Sequence, residues 1–311
     1  MGLRVTHCPV NFAGIGWTNV EALRRKGLDA RLVVFETHPA HPEADEDLAL
    51  PAGPFLWRQA LQLRALARLL PTTDVFHFYF GLTLVPKRLQ FPILHASRKK
   101  SVFHFLGSDI RGKSRVELAY GGLADAQIVG SYDAARWIPE AEVIPPGIDL
   151  SGIEPVPPRR EGPLRVAHAA LSRRRKGTDA IAAACAELGV ELDLIEQVRH
   201  DEVGRRIAAA DVVVDQLVVG WYGLFAIEAM AYGKPVLGYI HQEAAERTAE
   251  EFGAELPILG TTAETLAGDL RLLLADGDER LRRGAASRAY VERVHDVNLM
   301  ADRLIDIYSR L

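Results

Sequence analysis

The chain has few of the residues that mark a protein held together by disulfides or metal. Among its 311 residues only Cys8 and Cys185 are cysteines, and they lie far apart in separate apolar runs. Two distant cysteines give no sign of a disulfide framework or a zinc cluster. We therefore expect both to be buried free thiols.

Long apolar runs and a strong net charge are also missing. No apolar run reaches the roughly 18 residues that span a bilayer, and the net charge of −4 provides no basic field for nucleic acid. The N-terminal residues lack a signal-peptide pattern. The sequence thus predicts a cytoplasmic protein that binds no nucleic acid, and its length suggests about two domains.

Strand-like apolar runs alternate with helical patterns, which predicts an α/β fold with parallel sheets covered by helices on both faces. In the first half the predicted strands are 3–7, 31–35, 75–80, 102–106 and 127–129, with helices at 17–26 and 57–70. In the second half they are 164–168, 191–195, 212–214, 236–239 and 258–259. This pattern predicts two Rossmann-like, doubly wound domains.

The stretch VIPPGIDLSGIEPVPPRREGP breaks both periodicities with six prolines. We take 1–150 as the first domain, 151–163 as a linker, and 164–295 as the second domain. Ligands of doubly wound sheets bind beyond the carboxyl ends of the strands. We expect two such domains to face each other across a cleft, a favoured place for a ligand.

The first motif, NFAGIGWTNVEALRRKG, follows the first strand and opens a helix. Gly14 and Gly16 allow a sharp turn and a close approach of backbone to a ligand. A dinucleotide-binding loop has a third glycine at a fixed spacing, which this motif lacks. A nicotinamide oxidoreductase is therefore the least favoured function, and an ordinary strand-to-helix turn is the structural alternative.

The second motif, SVFHFLGSDIRG, brings His104 to the carboxyl edge of the first sheet. A histidine in this position can donate to a sugar hydroxyl or to a leaving oxygen. His77 occupies a similar position one strand earlier, in DVFHFYFG. For both residues the alternative is a hydrogen-bonded histidine of the core.

The third motif, VAHAALSRRRKGTDAI, sets a basic loop in front of a helix. Four cations beside a helix N-terminus predict a pyrophosphate site, although not all four can face one ligand. Thr178 or Asp179 is expected to cap the helix. The cations are Arg173, Arg174, Arg175 and Lys176.

The fourth motif, DVVVDQLVVGWYGLFAIEAMAYGKPVLGY, joins a buried strand to a helix. The backbone amides of Gly223 and Leu224 are candidates for binding a phosphate or sugar oxygen. Glu228 lies one turn further on and has two acceptor oxygens, enough for a vicinal diol such as that of ribose. A glutamate on the helix surface is the alternative.

In this order the motifs resemble those of the family 4 retaining glycosyltransferases, which have the GT-B fold. The segments that carry the resemblance are KGTDAI, IPPGIDL, GLFAIEAMAYGKPV and the terminal RLIDIYSRL. The resemblance implies a hexosyl-type transferase of the EC 2.4 class that takes a nucleotide diphosphate sugar and needs no metal or other cofactor. It also implies that the terminal helix, 296–311, crosses back to the first domain.

By the same resemblance, Lys176 binds the diphosphate together with an arginine, with Arg173 preferred to Arg174. Glu228 corresponds to the ribose-binding glutamate, and Gly223 and Leu224 supply amides to phosphate or sugar. His104 corresponds to a histidine near the donor sugar. Gly14 and Gly16 correspond to an N-terminal glycine loop.

One position departs from the family pattern. Gly220 stands where the family has its first glutamate, which usually holds hydroxyls of the donor sugar. Two alternatives therefore stay open: a non-hydrolysing sugar-nucleotide epimerase, and a catalytically weak partner subunit that binds the nucleotide sugar. The acceptor could be a glycan, a lipid-linked molecule or a small molecule. Membrane contact through the arginine- and leucine-containing helix 57–70 is less favoured than ordinary packing of that helix.

Overall fold

The computed structural model describes residues 2–311 of the chain. These residues form two α/β units. The first unit comprises the chain up to Gly147 together with Val297–Leu311, and the second comprises Ile148–Asp296. Both cysteines are buried and free, as predicted.

Each unit has its own parallel sheet. The first sheet has seven strands in the order β3-β2-β1-β4-β5-β6-β7, and the second has five in the order β12-β11-β10-β8-β9. The strands are β1 (Arg4–Cys8), β2 (Asp29–Val34), β3 (Glu46–Asp47), β4 (Val75–Tyr79), β5 (Lys100–Phe105), β6 (Ala126–Val129), β7 (Glu142–Val143), β8 (Arg165–Ala169), β9 (Glu191–Ile195), β10 (Val212–Val214), β11 (Val236–Gly238) and β12 (Leu259–Gly260).

Helices connect the strands in both units. Those of the first half are α1 (Ile15–Arg25), α2 (Phe55–Leu69), α3 (Lys87–Ala96), α4 (Arg115–Leu118) and α5 (Tyr132–Ala135). The others are α6 (Arg173–Lys176), α7 (Thr178–Leu188), α8 (His200–Ala209), α9 (Leu224–Ala231), α10 (Gln242–Phe252), α11 (Leu266–Ala275), α12 (Gly277–Val294) and α13 (Val297–Arg310). The last helix, α13, belongs to the first unit, where it packs against α1.

The two faces of the first sheet differ in chemistry because successive residues of a strand point to opposite sides. One face carries a layer of aromatic side chains that includes Phe76, Phe78 and Phe103. The other carries Val75 and its neighbours under α1 and α13. The strands are buried on both faces, which explains their near-continuous apolar runs.

Two short strands were not expected from the sequence. β3 lies in the acidic segment 38–47, whose polar sequence HPAHPEADED indicates a loop, and β7 precedes the proline-rich stretch. Each is two residues long, pairs with a single neighbour and contains a charged residue, so neither shows a strand periodicity. The ten predicted apolar runs all form strands, with ends that match or shift by at most two residues.

The proline-rich segment 151–163, predicted to be a linker, lies along the second unit. Its Arg159 forms an ion pair with the buried Asp211 at 2.5 Å. The buried Arg280 of α12 donates to the carbonyl oxygens of Arg159 and Arg160 in this segment, and to those of Leu273 and Leu274 at the end of α11. One guanidinium therefore fastens the segment to the helical layer.

We predict that Arg280→Ala lowers the free energy of unfolding of the second unit by about 3 kcal/mol, because buried carbonyl oxygens lose their donor. Urea unfolding followed by circular dichroism measures the change. Arg282→Ala is the matched control, since the Arg282 side chain is 65 % exposed and pairs with Glu279 on the helix surface. Equal midpoints for the two variants would contradict the role of Arg280.

Candidate functional site

The four cations predicted as a loop form one turn of helix, α6, beyond the carboxyl end of β8. Two ion pairs hold this turn. Arg173 makes two hydrogen bonds to Glu196, which follows β9, at 2.9 and 2.8 Å. Lys176 contacts Asp215, which follows β10, at 2.5 Å. Since β9 and β10 flank β8, the turn is tied to the ends of both neighbouring strands.

Arg174 differs from Arg173 in its surroundings. It is exposed and has no hydrogen-bond or ion-pair partner in the part of the chain that the structure describes. Arg173 would have to exchange Glu196 for a ligand, whereas Arg174 would not. Of these two arginines, Arg174 is thus the one without an acidic partner; which of them joins Lys176 at a diphosphate stays a prediction.

The helix that follows is capped differently from the prediction. Gly177, with φ +75°, is the N-cap of α7, and no side chain caps it. The Thr178 hydroxyl instead lies 2.8 Å from Nε2 of the buried His168. His168 Nδ1 lies 2.8 Å from the carbonyl oxygen of Val214, so Nδ1 donates and Nε2 accepts. Burial lowers the pKa of His168, and nearby Lys176 adds to this.

Asp215 joins the basic turn to the start of α9. Its side chain is 1 % exposed, and one oxygen accepts from Lys176 while the other accepts from the Gly223 N–H at 2.8 Å. The Gly223 amide, predicted to serve a phosphate or sugar, donates to Asp215 in this structure, so a ligand would have to compete with that carboxylate for it. A buried carboxylate requires such donors, which explains the competition.

The next amides of α9 remain available. Leu224 and Phe225 open the helix, and their N–H groups have no acceptor in residues 2–311. Helix N-termini attract anions through such unpaired donors and the helix dipole. Glu228 lies one turn beyond Leu224 on the same side of the helix. It is partly exposed, while its neighbours Ile227 and Ala229 are buried.

Gly220 occupies a position where a side chain would strain the backbone and displace the His241 ring. Its φ is +83°, and a Cβ there would lie 2.2 Å from two atoms of the His241 imidazole. The loop around it is held by the buried Gln216, whose amide donates to the carbonyls of Trp221 and Tyr239. His241 therefore lies where the resembling family's first glutamate would emerge.

The glycine loop of the first unit has two different roles. Gly14 is the left-handed N-cap of α1, with φ +74°, and His41 lies 3.0 Å from the place of its absent Cβ. Gly16 is buried, and a Cβ would lie 3.1 to 3.4 Å from Leu32, Asn11 and Tyr79. Gly16 therefore allows α1 to pack closely on the sheet.

His104 belongs to a buried network of the first unit, together with His77. The side chain of His104 is 3 % exposed, and its Nδ1 lies 3.2 Å from Nε2 of His77. His7 stacks on His77 with ring centroids 4.4 Å apart. Burial lowers the pKa of His7 and His104 to about 3, with charge repulsion contributing at His7. Burial also lowers the pKa of His77 well below its usual value, with charge repulsion from His7 and His104 contributing. All three rings are therefore neutral near pH 7.

Some participants were not found from the sequence. Tyr79, Asn19 and Tyr308 join the histidine network, and His7 pairs in register with His77 on the neighbouring strand. A sequence signal for part of this network exists: β1, β4 and β5 are otherwise apolar, and each places polar residues on the same face of the sheet. Asn19 and Tyr308 lie on helices, and no strand pattern could have linked them to it.

The carboxylates of the acidic segment are bonded to other groups of the first unit. Asp45 pairs with Arg24 and accepts from the Leu32 N–H, while Asp47 accepts from Thr37 and Ala49. Among residues 2–311 no cluster of histidine, cysteine and acidic side chains could hold a metal ion.

Helix α2 packs only its second half into the core. Ala65, Leu66 and Leu69 are buried, whereas the first turn exposes Phe55, Leu56 and Trp57. The favoured expectation, ordinary packing of this helix, therefore describes its second half, whereas its first turn is exposed. No helix among residues 2–311 is both long and apolar enough to cross a bilayer.

Comparison with known proteins shows similarity in structure. The sequence matches no known family profile and no curated protein. A sucrose-phosphate synthase from Thermosynechococcus elongatus has a TM-score of 0.73 at 17 % identity, covering 100 % of this chain and 99 % of that one. Anabaena HepE, solved with UDP-glucose, has a TM-score of 0.70 at 14 % identity and full coverage of both chains.

Two further structures bear on the choice of function. The lipopolysaccharide outer core galactosyltransferase WaaB has a TM-score of 0.67 at 14 % identity, with full coverage of both chains. A Listeria monocytogenes protein assigned as a UDP-N-acetylglucosamine 2-epimerase has a TM-score of 0.59 at 14 % identity, covering 98 % of this chain and 95 % of that one. At these identities the likeness shows the fold alone. The predicted α/β, GT-B type of fold is confirmed.

We predict that Gly220→Ala destabilises the second unit by about 2–4 kcal/mol, because the new Cβ combines a left-handed backbone with overlap of the His241 ring. Thermal and urea unfolding measure the loss. Gly260→Ala is the control, as a Cβ there meets no atom within 4 Å. Adding His241→Ala to Gly220→Ala should recover the part of the stability loss that comes from the overlap with the ring. If the losses of the two single variants simply add up in the double variant, the overlap is refuted.

We predict that acid destabilises the first unit through its histidines. The unfolded rings take up protons below pH 6.5, whereas folded His7 and His104 do so only near pH 3. The free energy of unfolding should thus fall as pH decreases from 6.5 toward 3, by up to about 1.4 kcal/mol per pH unit for each ring. Urea titrations between pH 7.5 and 4.5 measure the slope. His104→Gln should flatten it and the exposed His38→Gln should not; identical slopes would contradict the assignment.

Proposed function

We propose that the protein is a glycosyltransferase that moves a hexosyl group from a nucleotide diphosphate sugar to an acceptor hydroxyl. The observation that carries the proposal is the arrangement of Lys176, Asp215 and the start of α9 at one edge of the second sheet. It sets a cation and unpaired helix amides together beyond the carboxyl ends of parallel strands, where doubly wound sheets bind nucleotides. The fold likeness supports the same class.

In this proposal the diphosphate binds at the basic turn. Asp215 uses one of the three N–H donors of the Lys176 ammonium and leaves two for phosphate oxygens. Arg174 adds a guanidinium without an acidic partner, and Arg173 serves if Glu196 releases it. The N–H groups of Leu224 and Phe225 complete the anion site. Glu228, one turn along α9, binds the ribose diol.

The chemistry follows from where negative charge develops. As the anomeric bond breaks, the leaving diphosphate gains charge that Lys176, the arginine and the helix amides stabilise. We therefore propose that transfer needs no metal. Retention of configuration, with the acceptor hydroxyl attacking on the leaving-group side, is part of the proposal through the family resemblance. His104 is proposed to donate to a substrate oxygen at the edge of the first sheet. The cytoplasmic location stays a prediction.

Two alternatives are favoured by particular observations. The likeness to the epimerase favours a sugar-nucleotide epimerase, which would change the sugar without an acceptor. Gly220 under His241 favours a nucleotide-sugar-binding subunit with weak turnover, because this position offers no carboxylate to the sugar. Product analysis with and without candidate acceptors separates the three.

The proposal predicts how nucleoside diphosphates bind. Removing Lys176 alone would leave Asp215 buried without its cation, so the test replaces the pair as Lys176→Met with Asp215→Asn. We expect this double variant to weaken binding of UDP by about 10- to 100-fold, as a lost charge-assisted hydrogen bond implies. Calorimetry with UDP, ADP and GDP measures the affinities and identifies the base.

Asp215→Asn alone is the matched control. It keeps an acceptor for the Gly223 amide and frees Lys176 from its counter-ion, so UDP should bind at least as tightly as to the wild type. Glu228→Gln should weaken UDP more than inorganic diphosphate, which lacks ribose. Unchanged UDP affinity in the double variant would remove Lys176 from the diphosphate site.

A further inference from the structure

A continuous chain of hydrogen bonds runs through the buried core of the first unit and ends at His104. The Asn19 side-chain amide donates to the Tyr79 hydroxyl at 2.7 Å, and that hydroxyl lies 2.7 Å from His7 Nδ1. His7 Nε2 lies 3.3 Å from the Tyr308 hydroxyl, which lies 2.7 Å from His77 Nδ1. The chain closes with His77 Nε2 and His104 Nδ1, 3.2 Å apart.

The first hydrogen bond of this chain fixes the direction of all the others, because each group that accepts from its predecessor must donate to its successor. Asn19 donates to Tyr79, so the buried Tyr79 hydroxyl has His7 Nδ1 as its only acceptor in the described chain. A neutral imidazole has one N–H and one acceptor nitrogen. His7 must then carry its proton on Nε2 and donate to Tyr308.

The same rule applies to the rest of the chain. Tyr308 accepts from His7, so its hydroxyl donates to His77 Nδ1. His77 then has its proton on Nε2 and donates to His104 Nδ1. The reverse direction would leave the buried Tyr79 hydroxyl hydrogen without an acceptor, which costs about 1–3 kcal/mol.

The far nitrogen of His104 is where the chain ends. Nε2 has no hydrogen-bond partner among residues 2–311, and it is not one of the fully buried polar atoms without a partner. It therefore accounts for part of the small exposed fraction of this side chain. His104 lies in β5, in register with Tyr79 of β4, near the carboxyl end of the sheet.

We propose that this chain of hydrogen bonds fixes His104 as the Nε2–H tautomer and so makes it a neutral hydrogen-bond donor to a substrate oxygen. Asn19, Tyr79, His7, Tyr308 and His77 are positioning residues that act through it. The identity of that oxygen, a sugar hydroxyl or a phosphate oxygen, rests on the proposed function; the tautomer does not. An Nε2–H ring accepts no proton from the acceptor hydroxyl, so His104 is not a general base.

Long-range ¹H–¹⁵N correlation spectra of the histidine-labelled full chain at pH 7.5 test the tautomer directly, with His104→Gln identifying the signals. We expect a protonated Nε2 and an unprotonated Nδ1. Asn19→Asp replaces the donor at the head of the chain by an acceptor and should move the His104 proton to Nδ1. Tyr308→Phe removes the central hydroxyl and should give a mixture of both tautomers.

Tyr290→Phe is the matched control, because it removes a buried tyrosine hydroxyl that bonds to Tyr222 in the second unit. It should leave the His104 signals unchanged. If Asn19→Asp does not fold, the wild-type and Tyr308→Phe spectra still decide. A wild-type proton on Nδ1, or a Tyr308→Phe spectrum identical to wild type, would overturn the proposal.

A kinetic measurement links the tautomer to the reaction. With UDP-sugar turnover, Tyr308→Phe should lower kcat by about 10-fold while KM for the nucleotide sugar changes little, as for loss of one oriented donor. If Tyr308→Phe instead raised KM and left kcat unchanged, this would argue against a role of Tyr308 in positioning His104. Absence of UDP binding and turnover in the wild type, with the Nε2–H signature intact, would reject the proposed function and leave the tautomer standing.

Discussion

The carboxylate of Asp215 is the interaction on which the second unit's site depends. It is buried at the end of β10, so its negative charge needs donors, and it finds them in Lys176 and in the Gly223 N–H. These two partners come from the basic turn after β8 and from the start of α9. One buried charge thus determines where the cation lies and which helix amides remain for a ligand.

The histidine network of the first unit contains no charged group. Its residues lie between the sheet and the helices α1 and α13, where ionised groups would be costly. Neutral imidazoles and hydroxyls satisfy one another there in a single chain of hydrogen bonds. The donors in this chain all point the same way, from Asn19 toward His104. The chain ends at His104 Nε2, which has no partner among the described residues. The two sheet edges therefore present different chemistry, cationic in one unit and a neutral donor in the other.

Gly220 shows how a steric constraint can shape a site. The left-handed backbone and the His241 ring together make a side chain at this position costly, because the ring would have to move. A glutamate at this position would meet the His241 imidazole, which would have to shift to make room for it. In the proposed function, selection of the sugar thus depends on His241 and the loop held by Gln216.

The sequence by itself determined the two parallel α/β units and their long strands, because burial on both faces of a sheet leaves a local apolar pattern. It also identified the basic turn and the α9 motif, whose residues are contiguous. Only the tertiary structure decided that Asp215 occupies the Gly223 amide, that Glu196 engages Arg173 while Arg174 stays without a partner, and that Asn19 and Tyr308 join His104. The physical reason is that hydrogen-bond partners come from neighbouring strands and helices distant in sequence, and a local pattern records burial but not partners.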